Sequence, residues 1–233
     1  QKLTQLRFLN LSSNHISDTA FLQKLTQLQV LDLSANDIID ASFLQKLSQL
    51  QALKLRHNNI SDATFLQKLT QLRFLNLSSN HISDSAFLQK LTQLQALDLA
   101  YNNISDAASL QGLSQLQALK LHSNNITDAT FLLTLPQLRL ANLSGNQIVE
   151  IYELLALIND HHLQPCWKEE WYPTRQGELN LKDNPLKHPP AEIVKKGTEA
   201  VLEYFRQSEA TKARPLLEAK LVLLGDGRAG KTS

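Results

Sequence analysis

The chain has 233 residues, with 23 Lys and Arg against 22 Asp and Glu; its net charge of +1 gives no global field toward nucleic acid or an anionic membrane. No local basic patch is read in the sequence either, so neither is expected as a partner. A single cysteine, Cys166, excludes an internal disulfide framework and fits a reducing compartment, and no apolar run approaches the roughly 18 residues that span a bilayer. The chain therefore reads as soluble, and since it begins at Gln1 and contains no methionine, it reads as a fragment at its N-terminus.

From the first residue a period of 22 governs residues 1–148. Leu3, Leu25, Leu47, Leu69, Leu91, Leu113 and Leu135 each open the pattern L-x-x-L-x-x-L-x-L-x-x-N-x-I, which in the first unit is Leu3, Leu6, Leu9, Leu11, Asn14 and Ile16. Ala141 alone breaks a leucine position. Seven copies are the leucine-rich-repeat signature. The expected fold class is α/β: a right-handed solenoid with short parallel strands on its concave side and short helical or 3-10 turns on its convex side.

Each position has a physical task. Around Leu9 and Leu11 apolar and polar residues alternate, so a short strand is expected with leucines inward and Phe8, Asn10 and Ser12 outward. One repeat cannot bury its own leucines, but stacked repeats share a continuous core. The recurring Asn14, Asn36, Asn58, Asn80, Asn102, Asn124 and Asn146 stand where the chain leaves the strand. Their amides are expected to satisfy backbone groups in the turn and in the next coil. Asp18, Asp62, Asp84, Asp106 and Asp128 are placed to cap a short helical turn such as 20–24, held inward by Phe21, Leu22 and their equivalents.

A longer period lies on top, because residues 1–22 and 67–88 differ only at Thr19 and Ser85. Three repeats thus form a 66-residue block that occurs twice. One outward strand column reads Asn10, Asp32, Lys54, Asn76, Asp98, Lys120 and Asn142. At a strand spacing of about 4.8 Å, Asp32 is expected to face Lys54, and Asp98 to face Lys120. The adjacent outward column runs Phe8, Val30, Ala52, Phe74, Ala96, Ala118 and Leu140, an apolar strip of the kind that marks a partner-binding face. Phe8, Asp32, Lys54, Phe74, Asp98 and Lys120 are the candidate protein-binding residues; exposed ion pairs and a shielded sheet are the plainer alternative.

After Ile148 the spacing fails. Residues 149–207 are expected to hold irregular last repeats and a capping helix. Within them 150–163 reads as an amphipathic helix with Ile151, Leu154, Leu155 and Ile158 on one face. His161, His162, Cys166 and His188 match no standard metal spacing and read as surface and packing residues. Trp167, Trp171 and Tyr172 are placed to close the last hydrophobic layer. Leu179, Leu181, Asn184 and Leu186 restore L-x-L-x-x-N-x-L for one irregular coil. Pro189 and Pro190 then open a helix over 191–207, and 208–217 reads as a linker.

The last segment, 218–233, changes character. Ala219–Leu224 is an apolar run, including Leu221, Val222, Leu223 and Leu224, long enough for a buried parallel strand. Gly225, Asp226, Gly227, Arg228, Ala229, Gly230, Lys231 and Thr232 then fit G-x-x-x-x-G-K-[ST], with Ser233 following. In that motif backbone N–H groups converge on phosphates, Lys231 would bridge the terminal phosphates and the Thr232 hydroxyl would ligate Mg²⁺. The phosphate loop does not itself separate GTP from ATP. Without the helix and base-recognition loop that complete such a domain, the chain by itself is expected neither to bind nucleotide tightly nor to hydrolyse it.

The whole arrangement resembles bacterial Roco proteins. The resemblance rests on the repeats ending in Asn184-Pro185-Leu186 and Pro189-Pro190-Ala191-Glu192-Ile193-Val194. It continues through Gly197–Phe205 and Glu218–Gly227 into the phosphate loop. It implies a Ras-like GTPase domain called Roc after the repeats, then a COR dimerisation module, and with them GTP or GDP, Mg²⁺ and a cytoplasmic location. It also implies that the repeats bind a protein partner or fold back on the GTPase domain, and that a homodimer forms through a region beyond Ser233. Gly225, Gly230, Lys231 and Thr232 inherit nucleotide roles by this match. A stand-alone interaction module resembling internalin-type repeats is the alternative. An ATP-using immune-type receptor, which usually places its ATPase before the repeats, fits the order less well.

Overall fold

The computed structural model describes residues 2–160, 163–169 and 174–212. Because no unit can bury its leucines alone, each lays them on those of the next. Seven three-residue strands result: β1 (Phe8–Asn10), β2 (Val30–Asp32), β3 (Ala52–Lys54), β4 (Phe74–Asn76), β5 (Ala96–Asp98), β6 (Ala118–Lys120) and β7 (Leu140–Asn142). Each pairs in parallel with its predecessor one period away, so Leu9 faces Leu31, Leu31 faces Leu53, and the row runs on to Leu119 opposite Ala141. Strand centres point inward from β2 onward, while Leu6, Leu9, Leu11 and Ile16 of the first coil are only partly buried. Short 3-10 turns close the convex side and bury Leu22, Leu44, Leu66 and Leu88 completely.

Two features of that convex side differ from expectation. The aspartates act one position earlier than a cap: Asp18 Oδ1 accepts the N–H of Ala20 at 2.7 Å, and Asp62 does the same for Thr64 at 2.8 Å. The residue between, Thr19 or Ala63, is the N-cap and makes no side-chain cap bond, so the motif is an Asx-turn that leads into the helical turn. Phe21 is not held inward. It is 56% exposed, whereas Phe65, Phe87 and Phe131 are buried. Phe21 lies in the first described coil, and burial of the column sets in with the third.

The asparagine row also runs the other way from expectation. From Asn36 onward each asparagine reaches back to the preceding coil rather than forward. Asn80 Nδ2 donates to the carbonyls of Leu55 and Leu77 at 2.9 and 3.0 Å, and its Oδ1 accepts the N–H of Ile60 at 3.0 Å. Asn36, Asn58, Asn102, Asn124 and Asn146 repeat this geometry. Asn14 donates only within its own turn, to Leu11 and Ser12.

The residue before each asparagine is left-handed. Ser13, Ala35, His57, Ser79, Tyr101 and Ser123 have φ between 52° and 58°, and only the seventh coil uses glycine, Gly145 at 60°. A Cβ in this region costs roughly 1–2 kcal/mol, against about 0.5–1 kcal/mol for the extra chain freedom of glycine. Ala35 is exposed, so its methyl contributes no core packing. Ala35→Gly is therefore expected to stabilise the fold by about 0.5–1 kcal/mol, read as a raised urea midpoint; an unchanged or lowered midpoint would show that the turn holds no such strain.

The end of the array differs from a simple succession of coils. Strand β8 (Gln164–Cys166) does not pair with β7. Instead β9 (Glu178–Asn180) takes that place, and β8 lies beyond it, giving the order β1-β2-β3-β4-β5-β6-β7-β9-β8. The segment expected as an irregular coil is thus a regular neighbour: Ala141 faces Leu179, and Asn184 continues the row by donating to Leu143 O at 2.8 Å and accepting from Ile148 N. Edge strand β8 carries Pro165, which offers no N–H to a further strand.

The expected helix over 150–163 is shorter, a 3-10 turn at Tyr152–Leu154 followed by α1 (Leu155–Asn159). The expected helix over 191–207 is two, α2 (Ala191–Val194) and α3 (Thr198–Lys212), because Gly197 at φ 93° ends the first in a left-handed stop. Helix α3 also runs into the polar stretch read as a linker. Its Val201 and Phe205 are buried over the last coils, and the Phe205 ring meets Tyr152 edge-on at 5.4 Å. Trp167, partly buried against the core, supports the closing role given to it; His161, His162, Trp171 and Tyr172 lie outside the described residues. So does 218–233.

Candidate functional site on the concave sheet

The outward strand residues form the concave face. Phe74 stands 51% exposed between Ala52 and Ala96, its partners in register, with Ala118 one strand further. Methyl side chains beside a phenyl ring leave a shallow apolar depression of about 210 Å³, rimmed by Lys54, Asn76, Asp98 and Lys120. Phe8, 66% exposed, holds the equivalent position on β1. A second, polar depression of about 370 Å³ adjoins the first and shares Asn76, Asp98 and Lys120 with it. Its other walls are Arg56, Ser78, Ala100, Tyr101 and His122, with the Tyr101 and His122 rings edge to face at 5.1 Å.

The expected ion pairs form across adjacent strands: Lys54 Nζ lies 3.3 Å from Asp32 Oδ2, and Lys120 Nζ lies 3.8 Å from Asp98 Oδ2. Both lysines are exposed, so each pair contributes about 1 kcal/mol at most. The acidic column has a second task that the sequence reading missed. Asp32 Oδ1 accepts the N–H of Ser34, Asp98 Oδ1 that of Ala100, and Asn10, Asn76 and Asn142 do the same two residues on. Asx chemistry at the strand exit was the available signal.

Burial pushes the Asp32 carboxyl up, but hydrogen bonds from Ser34 and the Lys54 ammonium outweigh it and hold the group below the usual carboxylate range. Because the folded-state value lies below the unfolded one, this stability is present above about pH 4 and lost as the pH falls through the folded value. Asp62, held low by the Thr64 bond, acts in the same direction. The urea midpoint is expected to fall on acidification below about pH 4, and to fall less in Asp32→Asn. An identical acid profile for the two proteins would remove Asp32 from this account.

Of the residues read for other chemistry, His188 is hydrogen-bonded to the Tyr204 hydroxyl at 3.0 Å. Burial, aided by nearby Glu178 and opposed by Lys168, pushes the Cys166 thiol up to about 11, which keeps it protonated and unreactive at neutral pH. Among the described residues no three His, Cys, Asp or Glu side chains come together as a metal site, and no helix is long and apolar enough to cross a membrane. The phosphate-loop residues, Gly225 to Ser233, lie outside the described residues.

A parallel sheet lining the inside of a stacked coil, presenting an apolar strip with charged rims, defines a leucine-rich-repeat interaction scaffold. The chain belongs to the leucine-rich-repeat proteins. The family described as "Leucine Rich repeats (2 copies)" matches residues 4–46 and 48–90, and "Leucine rich repeat" matches 80–126. Among solved structures, an internalin (inlF) of Listeria monocytogenes is 31% identical, with 79% of this chain and 50% of that one covered and a TM-score of 0.69. Internalin C2 of the same organism is 34% identical over 66% of this chain and 69% of its own, with a TM-score of 0.63. A leucine-rich-repeat protein of Leptospira interrogans is 27% identical over 78% and 44%, with a TM-score of 0.66. The cyclic GMP-binding protein C of Dictyostelium discoideum is 47% identical over 49 residues, 21% of this chain and 2% of that protein. The chain thus spans half the length of the internalin inlF chain and a small part of the Dictyostelium protein.

Proposed function

We propose that the chain is the recognition segment of a Roco-type GTP-binding protein, in which a protein partner docks on the concave sheet and the helical cap leads toward the phosphate loop. The observation that carries the docking half is the exposed strip around Phe74 between Ala52 and Ala96. The nucleotide half is supported by the sequence Gly225–Thr232 directly after the apolar run Leu221–Leu224. On this reading GTP or GDP with Mg²⁺ binds at 225–233, Lys231 holds the terminal phosphates and Thr232 the metal. The protein is then cytoplasmic, the repeats also contact its own GTPase domain, and dimerisation lies outside this chain.

The test is a fluorescent-GDP titration of the gene product that contains this chain. Mg²⁺-dependent binding that guanine but not adenine nucleotides displace, and that Lys231→Ala abolishes, is the expected result. No binding by the wild-type product would end the nucleotide half. A stand-alone module of the internalin type is the second reading, favoured by the internalin structures at 31% and 34% identity. It keeps the concave docking face and assigns no role to the phosphate loop.

A further inference from the structure

Folding separates charge in a way the sequence order conceals. Lys54 and Lys120 stand on the concave strands, Arg7, Arg73 and Arg139 just before a strand, and Arg56 two residues past the end of β3. In those seven coils Asp32 and Asp98 are the acids that share this face. The others, Asp62 and Asp84 for example, sit in the turns that lead to the convex side. Asp32 is taken by Lys54 and Asp98 by Lys120. Arg56 and Arg73 are exposed, and among the described residues neither is paired with an acid. Arg56 walls the polar depression, and Arg73 precedes Phe74 at the apolar one.

We infer that the concave face takes an acidic protein segment, which seats an apolar side chain on the Ala52–Phe74–Ala96 floor and places carboxylates on Arg56 and Arg73. This rests on the reading of that face as a protein-docking surface and adds the chemistry of the partner. A guanidinium fork matches a carboxylate with two parallel hydrogen bonds, and a concave wall of low dielectric concentrates the field of unpaired cations. An apolar floor, with Arg56 in the depression that adjoins it and Arg73 next to Phe74 in the chain, asks for a ligand that alternates apolar and anionic groups. A nucleic-acid backbone or an anionic bilayer presents continuous negative charge, which would meet the Asp32 and Asp98 carboxylates within the same face.

The experiment is selection of short random peptides displayed on phage against the purified chain, followed by titration of a synthesised winner. Winners are expected to carry surplus Asp or Glu around an aromatic or aliphatic residue. They are expected to lose affinity as salt rises, and to bind about tenfold or more weakly to the double variant Arg56→Glu/Arg73→Glu, whose circular dichroism should match the wild type because both side chains are exposed. Phe74→Ala is expected to weaken the same winner. Neutral or basic winners, no winners, or undiminished binding by the arginine variant would overturn the proposal. So would tighter binding of a single-stranded oligonucleotide or of phosphatidylserine vesicles through the same arginines. Loss in Phe74→Ala alone would leave the docking face standing without its acidic partner, whereas indifference to all these variants would remove both.

Discussion

Replacing Asn80 with alanine is expected to destabilise the fold by about 3–5 kcal/mol, comparable to the whole stability of a marginal domain. Its side chain is buried and engages the Leu55 and Leu77 carbonyls and the Ile60 N–H, two of which belong to the preceding coil. Alanine orphans the Ile60 N–H in an apolar interior at roughly 1–3 kcal/mol, and removes one of two amide donors from each carbonyl, Leu55 keeping Asn58 and Leu77 keeping Asn102, at about 0.5–1.5 kcal/mol apiece. Asn14 occupies the same consensus position but is exposed and bonds only within its turn. Asn14→Ala should therefore cost less than about 1 kcal/mol. Urea denaturation of the two variants measures the contrast, and equal losses would show that the bonds between coils carry no weight.

Leu75→Ala should cost about 2–5 kcal/mol, the range for a leucine truncated in a core that cannot collapse around the void. Leu75 is 3% exposed and faces Leu53 and Leu97 on the adjoining strands. Leu9→Ala, in the partly buried first coil, removes the same atoms from a site that water already reaches and should cost less. Since each coil touches only its neighbours, the damage should also be local. Hydrogen exchange is expected to quicken most in the coils that carry β3, β4 and β5, with the capping helix α3 less affected. Uniform loss of protection along the chain would instead mean that the array unfolds as one unit.

These two variants probe what makes the sheet a platform. The strip around Phe74 stays exposed because the leucines behind it are satisfied inside the coil and the strand carbonyls and N–H groups are taken by neighbouring strands or by asparagine. Among the described residues, the groups that cross the concave surface ahead of a partner are the Asp32–Lys54 and Asp98–Lys120 pairs.

Much of this was readable before folding. The spacing of Leu9 and Leu11 required an inward pair with outward Phe8 and Asn10, and the lysine and aspartate columns had to meet because their separation equals one period. The direction of the asparagine bonds was not readable, since Asn80 stands one period from both Asn58 and Asn102, and only the handed stacking of coils decides which backbone lies within reach. Nor did Gln164-Pro165-Cys166 announce a strand. It becomes one by pairing with β9 at the rim of the sheet, a place where proline is tolerated.

What the residues determined by themselves is the coil. A 22-residue period with leucine, asparagine and isoleucine at set offsets admits one way to bury its apolar groups and satisfy its turns, and each of those constraints acts within a unit or between adjacent ones. What the tertiary structure alone decided is where distant segments meet. Residues 178–184 enter the array next to β7 ahead of the strand that precedes them, because Leu179 and Asn184 continue its leucine and asparagine rows. Arginines as far apart in the chain as Arg7 and Arg139 come to precede strands of one sheet, since strand stacking shortens a period of 22 residues to about 4.8 Å.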